Sequence, residues 1–300
     1  MTSLQSAVSG PRAVKLSMFL SRAIPEGLGH RAAGWAASAV CRVKPAVYHT
    51  VHANLRQVMG PDASDQALER AVRQVFVTAI RSYFDLFRAM GNPRQELSAL
   101  VDVPETTKAN ARALWNREGG AVLVFPHLSN FDLGGHALVR YLPEVQLLTL
   151  PDPPAGFKIL NESRQLPNVS VTPLSSSALR QAIKLLRQGG LVSVAGDRPV
   201  SDMDKPVLFF GRPARVPTGH VRLALKTGAV MAVGYCVYSA ETGRYTAHLE
   251  PPMELIRTGN LAEEVALNAR QILGVLEQTI RRWPGQWQMF VPVWAEGVQG

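Results

Sequence analysis

The segment Phe125-Pro126-His127-Leu128-Ser129-Asn130-Phe131-Asp132 directly follows an apolar run, Ala121 to Phe125. An imidazole at the end of a strand and a carboxylate in the first turn of the next helix can meet across a tight loop. A neutral imidazole accepts a hydroxyl proton near its working pKa, while a carboxylate fixes its tautomer and stabilises the imidazolium. The spacing makes His127 a candidate base and Asp132 its orienting acid, with Ser129 or Asn130 as the helix cap. Attack by an alcohol on an activated acyl group needs no serine nucleophile in addition. The same spacing also fits a loop histidine with a purely local hydrogen bond.

A second constellation, Ala195-Gly196-Asp197-Arg198-Pro199, follows the apolar run Leu191 to Ala195. Open α/β sheets place ligands at such strand ends. Asp197 is there a second carboxylate for the base, and Arg198 a cation for a phosphate or a thioester oxyanion; a simple ion pair between the two fits equally. A third stretch runs from Phe209-Phe210-Gly211 through Arg212 and Arg215 to Pro217-Thr218-Gly219, at the start of a helix from His220 to Lys226. Thr218 and Gly219 offer free backbone N–H groups to an anion, and Arg215 adds charge suited to donor phosphates. An ordinary capped helix has the same appearance. His49 and His52 have metal-ligand spacing but no acidic or thiol partner nearby, and no metal is expected.

The elements that would carry these residues follow from the apolar pattern. Short runs at Ala121–Phe125, Val145–Leu150, Val169–Thr172 and Leu191–Ala195 alternate with helices at Glu105–Arg117, Phe131–Tyr141 and Ser176–Gln188. Such alternation predicts an α/β fold: a mixed, mostly parallel central sheet flanked by helices. Further strands are expected at Val207–Phe210, Val230–Tyr238 and Tyr245–Leu249, and a helix at Leu261–Arg282. Before them, helices at Ile24–Val43, Pro45–Met59 and Ser64–Met90 form an N-terminal helical layer, punctuated by Pro25, Pro45 and Gly60-Pro61. With no repeat or low-complexity linker, residues 1–300 read as one domain, 1–92 helical and 93–300 the α/β core.

The chain has 300 residues, 46% of them hydrophobic, which excludes a disordered protein. Its net charge of +9 points to an anionic partner. Seven cations stand against Glu26 alone in the first sixty residues, on helices of apolar character, so the excess suits an anionic lipid surface. Nucleic acid would call for a basic stripe with interleaved aromatics and is not expected. No run reaches the roughly 20 apolar residues of a membrane span. Cys41 and Cys236 fit neither a disulfide framework nor a zinc site. Walker, dinucleotide, G-x-S-x-G and H-E-x-x-H patterns are absent, which disfavours the enzymes built on them.

Taken in order, His127-x4-Asp132, Gly196-Asp197-Arg198, Phe209-Phe210-Gly211 to Gly219, and the tail Trp287-Gln288-Met289-Phe290-Val291-Pro292-Val293-Trp294 resemble the lipid A biosynthesis acyltransferase family. That family includes the phosphatidylinositol mannoside acyltransferases, and Asn54-Leu55-Arg56 adds to the likeness. The resemblance implies a glycerol-3-phosphate acyltransferase-like fold and a peripheral enzyme on the cytoplasmic face of the bacterial plasma membrane. It would move a fatty acyl chain from coenzyme A or acyl carrier protein, as co-substrate, to a hydroxyl of a glycolipid or lysophospholipid, with no cofactor. His127 matches the base, Asp132 its partner, Asp197 the position where the mannoside branch usually has Glu, and Arg164 a position that often carries Arg in substrate binding. Pro199 departs from the pattern, where the mannoside branch commonly has a second acid. A thioesterase using the same His and Asp, or a noncatalytic basic membrane-surface protein, is the alternative.

Overall fold

A computed structural model describes residues 11–90, 100–115, 119–152, 155–200 and 205–294. Four helices lead: α1 Pro11–Ala23, α2 Glu26–Val43, α3 Ala46–Met59 and α4 Asp65–Met90. Helix α1 lies ahead of the first expected helix, in a stretch whose apolar pattern is short and cut by Arg22. Pro25 separates it from α2, and Gly60 closes α3 at φ +80°. Ser64 Oγ accepts the Ala67 N–H and caps α4, whose buried Leu68, Val72, Val75, Phe76 and Ala79 keep helical spacing.

The sheet elements follow: β1 Val101–Asp102, β2 Ala121–Phe125, β3 Val145–Thr149, β4 Val169–Pro173, β5 Leu191–Ala195, β8 Val230–Ser239 and β9 Arg244–Leu249. Their spatial order is β1-β9-β8-β2-β5-β3-β4. Every neighbouring pair is parallel except β8 with β9, so the mixed, mostly parallel sheet expected from the sequence is present. A separate hairpin joins β6 Val207–Phe209 to β7 Arg212–Ala214. The intervening helices are α5 Glu105–Trp115, α6 Phe131–Leu138, α7 Ala155–Ser163, α8 Ser176–Arg187, α9 Gly219–Thr227 and α10 Leu261–Arg282. The expected helix to Tyr141 is α-helical only to Leu138 and finishes as a 3-10 turn. The end of the expected helix to Arg117 lies outside the described residues. Helix α7 and strands β1 and β7 have no counterpart in the sequence reading.

Helices cover both faces of the sheet. Along β2, Val122 and Val124 enter a core shared with α3, α8, α9 and α10, while Ala121 and Leu123 enter one shared with α5 and α6. A central strand buried on both sides reads as an unbroken apolar run, which is why β2 was legible. Helix α4 reaches both cores, through Val72 and Val75 to the first and Leu86 and Phe87 to the second.

Helix α6 packs closely on β8. A Cβ at Gly134 would stand 2.5 Å from Cys236 Cβ, whereas one at the next residue, Gly135, would meet nothing within 4 Å. Gly134→Ala is expected to destabilise the fold by about 1–3 kcal/mol through overpacking. Gly135→Ala is expected to stabilise it by about 0.5–1 kcal/mol through helix propensity. Urea denaturation of the two variants should therefore give midpoints on opposite sides of the wild type.

Candidate functional site

Strands β2 and β5 are adjacent, and their last paired residues are Phe125 and Ala195. His127 and Asp197 each lie two residues beyond those partners, so parallel register carries both to the same place. The Gly196 N–H donates to Phe125 O at 3.0 Å, extending the pairing one residue. A Cβ on Gly196 would lie 2.3 Å from Val124 Cγ1, so only glycine permits this approach.

Asp197 has no exposed side-chain surface and accepts three hydrogen bonds. His127 Nδ1 lies 2.7 Å from Oδ1, the His127 backbone N–H donates to Oδ2 at 2.7 Å, and Trp287 Nε1 donates to Oδ2 at 2.7 Å. Burial alone raises the carboxyl pKa, but the charge of a protonated His127, the two side-chain hydrogen bonds and the backbone N–H outweigh it. The group is held below its ordinary 3.8. With Nδ1–H donating to Asp197, the imidazole lone pair is on Nε2, which has no partner among the described residues. The His127 side chain retains 20% exposure, and the edge of the Phe131 ring packs on it at 5.4 Å between centroids. The arrangement suits a base aimed outward and held from behind.

This geometry corrects the expected pairing. The acid that orients His127 is Asp197, not Asp132. Asp132 receives Arg164 instead, Nε to Oδ1 at 2.6 Å and Nη2 to Oδ2 at 3.1 Å, and Arg164 Nη1 also donates to Asn161 Oδ1 at 2.8 Å. The bidentate guanidinium engages both carboxylate oxygens of Asp132, and no hydrogen bond among the described residues joins Asp132 to the imidazole. The alternative ion pair of Asp197 with Arg198 does not form either. Arg198 is half-buried, with no hydrogen bond or ion pair among the described residues. Asn130, and not Ser129, caps α6 by accepting the Leu133 N–H at 3.3 Å.

Arg215 lies between β7 and α9, and Thr218 and Gly219 open α9, where the Thr218 side chain makes no capping hydrogen bond. Among the described hydrogen bonds none joins Thr218 or Gly219 to the His127 loop. The next residue, His220, is buried and pushed down to about 4 by desolvation, so it is neutral. Among the described residues no three His, Cys, Asp or Glu side chains are grouped as metal ligands.

Sequence reasoning missed several residues at the site. Trp287 enters there only as part of the aromatic tail, yet its indole N–H is the third donor to Asp197. Tyr83 of α4 joins the Asp132 side: burial raises its phenol pKa first, the Asp132 charge adds to that, and Arg164 and Arg198 oppose it. His136, one turn after Asp132, is lowered by burial and kept neutral. The Trp287 and Tyr83 contacts join remote segments, and no local spacing encodes them.

An imidazole and a buried carboxylate at adjacent strand ends of a mostly parallel sheet form a candidate site at the carboxyl edge of an α/β protein. The chain belongs to the bacterial lipid A biosynthesis acyltransferase family, which matches residues 12–296. It is similar to a phosphatidylinositol mannoside acyltransferase of Mycobacterium tuberculosis, 26% identical over 179 residues, covering 58% of this chain and 54% of that protein. The chain thus spans about half the length of that relative. It is also similar to a phosphatidylinositol mannoside acyltransferase of Mycolicibacterium smegmatis, 24% identical over 282 residues, covering 92% of this chain and 88% of that one. Among solved structures, the 1-acyl-sn-glycerophosphate acyltransferase PlsC of Thermotoga maritima aligns over 86% of this chain and 98% of its own, with 15% identity and a TM-score of 0.37.

Because the Asp197 pKa is lowered in the folded protein, its ionised form stabilises the fold above pH 3.8, and that contribution is lost as pH falls through the folded pKa. Asp197→Asn should therefore lower the urea midpoint at pH 7, and the gap to wild type should shrink below pH 3.8. Trp287→Phe, which leaves the buried carboxylate one donor short, should cost about 1–3 kcal/mol at pH 7.

Proposed function

We propose that the protein is an O-acyltransferase that moves a fatty acyl chain from a thioester donor, acyl coenzyme A or acyl carrier protein, to a hydroxyl of a glycolipid or lysophospholipid. The observation that carries this reading is His127, held by the buried Asp197 through Nδ1 and presenting an Nε2 with no partner among the described residues. Family membership supplies the acyl chemistry. The mannoside acyltransferases among its relatives support a glycolipid acceptor.

In the proposed reaction Nε2 takes the acceptor proton as the acceptor oxygen attacks the thioester carbonyl. Asp197 stabilises the resulting imidazolium. The tetrahedral oxyanion is met by Arg198, a cation with no ion pair among the described residues. Collapse breaks the carbon–sulfur bond, the thiolate departs and receives the proton from the imidazolium, and the ester is complete. No covalent acyl-enzyme forms, so initial-rate kinetics are sequential. Asp132 holds Arg164 beside Phe131, whose ring flanks His127, so this pair shapes the substrate wall. Arg215, Thr218 and Gly219 are proposed donor contacts, with Arg215→Ala raising the donor KM.

The enzyme is proposed to work at the surface of an anionic membrane, on the cytoplasmic face, as one domain. No described helix is long and apolar enough to cross a membrane. Helix α1 exposes Leu16, Phe19 and Leu20 beside Lys15 and Arg22, and α2 exposes Leu28 and Trp35. Exposed apolar residues next to cations suit insertion among acidic headgroups, each cation contributing about 1 kcal/mol. Leu174 and Val200, also exposed, follow the carboxyl ends of β4 and β5, on the edge that carries His127.

The test is thiol release from palmitoyl coenzyme A with and without bacterial polar lipids, with new lipids read by mass spectrometry. Wild type is expected to give an acylated lipid, and His127→Ala to lose about 100- to 10,000-fold in rate. Full thiol release without a new lipid would replace acyl transfer by hydrolysis, and an acyl adduct on Ser129 would overturn the direct mechanism. On vesicles, Leu16→Asp with Phe19→Asp should abolish sedimentation with phosphatidylglycerol, which wild type is expected to show.

A further inference from the structure

Ser129, two residues after His127, has φ +48°. An L side chain in this left-handed region is disfavoured by about five- to thirtyfold in conformer population. Such backbone persists only where its surroundings over-determine it, and it concentrates at functional sites. The Ser129 side chain offers no compensation, because its Oγ is buried without a hydrogen-bond partner among the described residues.

What holds Ser129 comes from the far end of the chain. Residues 286–288 run antiparallel to the His127 loop, with Leu128 opposite Trp287. The Ser129 N–H donates to Gln286 O at 2.8 Å, and the Gln288 N–H donates to His127 O at 2.8 Å. The Gln288 side chain then donates to Ser129 O at 2.6 Å and, more weakly, to Ser82 Oγ at 3.3 Å. Gln286 is itself fixed, its amide bonded to both the N–H and the carbonyl of Tyr238 at 2.8 Å. Backbone pairing of this kind needs no particular side chain, but the bond to the Ser129 carbonyl depends on the Gln288 amide.

We propose that Gln288 is a positioning residue for His127, acting through the Ser129 carbonyl to keep the loop in its left-handed turn. His127 needs that turn twice, since both its backbone N–H and its Nδ1 must reach the two oxygens of Asp197. Release of the Ser129 carbonyl lets φ relax to negative values and rotates the peptide units that join His127 to α6. A misplacement of about 1 Å in a catalytic group costs on the order of a hundredfold in rate. A glycine at 129 adopts φ +48° without help, and it forfeits no hydrogen bond of the Ser129 hydroxyl. The requirement for Gln288 is therefore conditional on the side chain at 129.

This inference rests on His127 being the base proposed above, and one of its two readouts is independent of that reading. The full chain is compared as wild type, Gln288→Ala, Ser129→Gly and the double variant. Palmitoyl transfer gives kcat and KM, and proton NMR without substrate gives the downfield Nδ1–H resonance of His127 bonded to Asp197. Gln288→Ala is expected to lower kcat by about 10- to 100-fold with KM little changed, and to broaden or shift the downfield resonance. Adding Ser129→Gly is expected to restore both. A double variant that stays as impaired as Gln288→Ala while showing wild-type circular dichroism overturns the proposal, and so does a Gln288→Ala variant that loses nothing. Should Gln288→Ala fail to fold, Gln288→Glu keeps the volume, removes the donor and is read in the same way. If wild type transfers no acyl chain, the resonance alone decides the positioning role.

Discussion

A carboxylate with no exposed surface has to replace its water with protein donors, and Asp197 does so with three. Leaving a buried charge short of a partner costs several kcal/mol, so these donors are a condition on the fold as well as on the site. Two come from His127 and one from Trp287, which lie 70 and 90 residues away in sequence. Meeting that condition fixes the imidazole ring, its tautomer and the backbone of its loop together.

Several distant parts of the chain serve this arrangement. Adjacent register of β2 and β5 brings the two strand ends level. The tail that supplies Trp287 is tied down by Asn54 of α3, whose amide donates to Met289 O at 3.1 Å and Val291 O at 2.8 Å and accepts from the Val293 N–H at 3.2 Å. Trp294 closes it by donating to Phe209 O at 3.1 Å and stacking on the Phe209 ring at 5.9 Å. The N-terminal layer and the Phe209-Phe210 hairpin thus support the His127 loop from behind, with no hydrogen bond to the imidazole among the described residues. Asn54 and the aromatic tail are among the residues on which the family resemblance rests, and their contacts give a physical reason for residues of those types there.

The elements around β2, β5, α6 and α8 were legible because buried parallel strands are apolar throughout and their helices carry clear caps. His127 was legible as a candidate base because an imidazole directly after an apolar strand can meet a carboxylate across a tight loop, although a loop histidine fits the same spacing. Its partner was not, because sequence spacing reports only local neighbours. Asp132 is close along the chain, but the carboxylate that meets the imidazole is set by which strands lie side by side. The order β2-β5-β3 follows from no run of residues in the sequence. Arg164, which takes Asp132, follows the end of α7, a helix that has no counterpart in the sequence reading. Ser129 shows the same limit on a smaller scale: its positive φ depends on Gln286 and Gln288, and a serine gives no sign of it.

Separating the two acids has an electrostatic consequence. If Asp132 faced His127, the largely buried Arg164 would stand uncompensated beside the base and oppose formation of the imidazolium. With Arg164 bonded to Asp132, that pair is close to neutral, and the carboxylate charge acting directly on His127 is that of Asp197. Arg198 is then left as the uncompensated cation among the described residues of these loops. In the proposed reaction positive charge develops on the imidazole and negative charge on the former thioester oxygen. Asp197 and Arg198 are consecutive in the chain, so one short loop answers both charges, the carboxylate from inside the fold and the guanidinium from its rim. In that proposal the pairing that needs protection from water is buried, and the one that would receive substrate is left open.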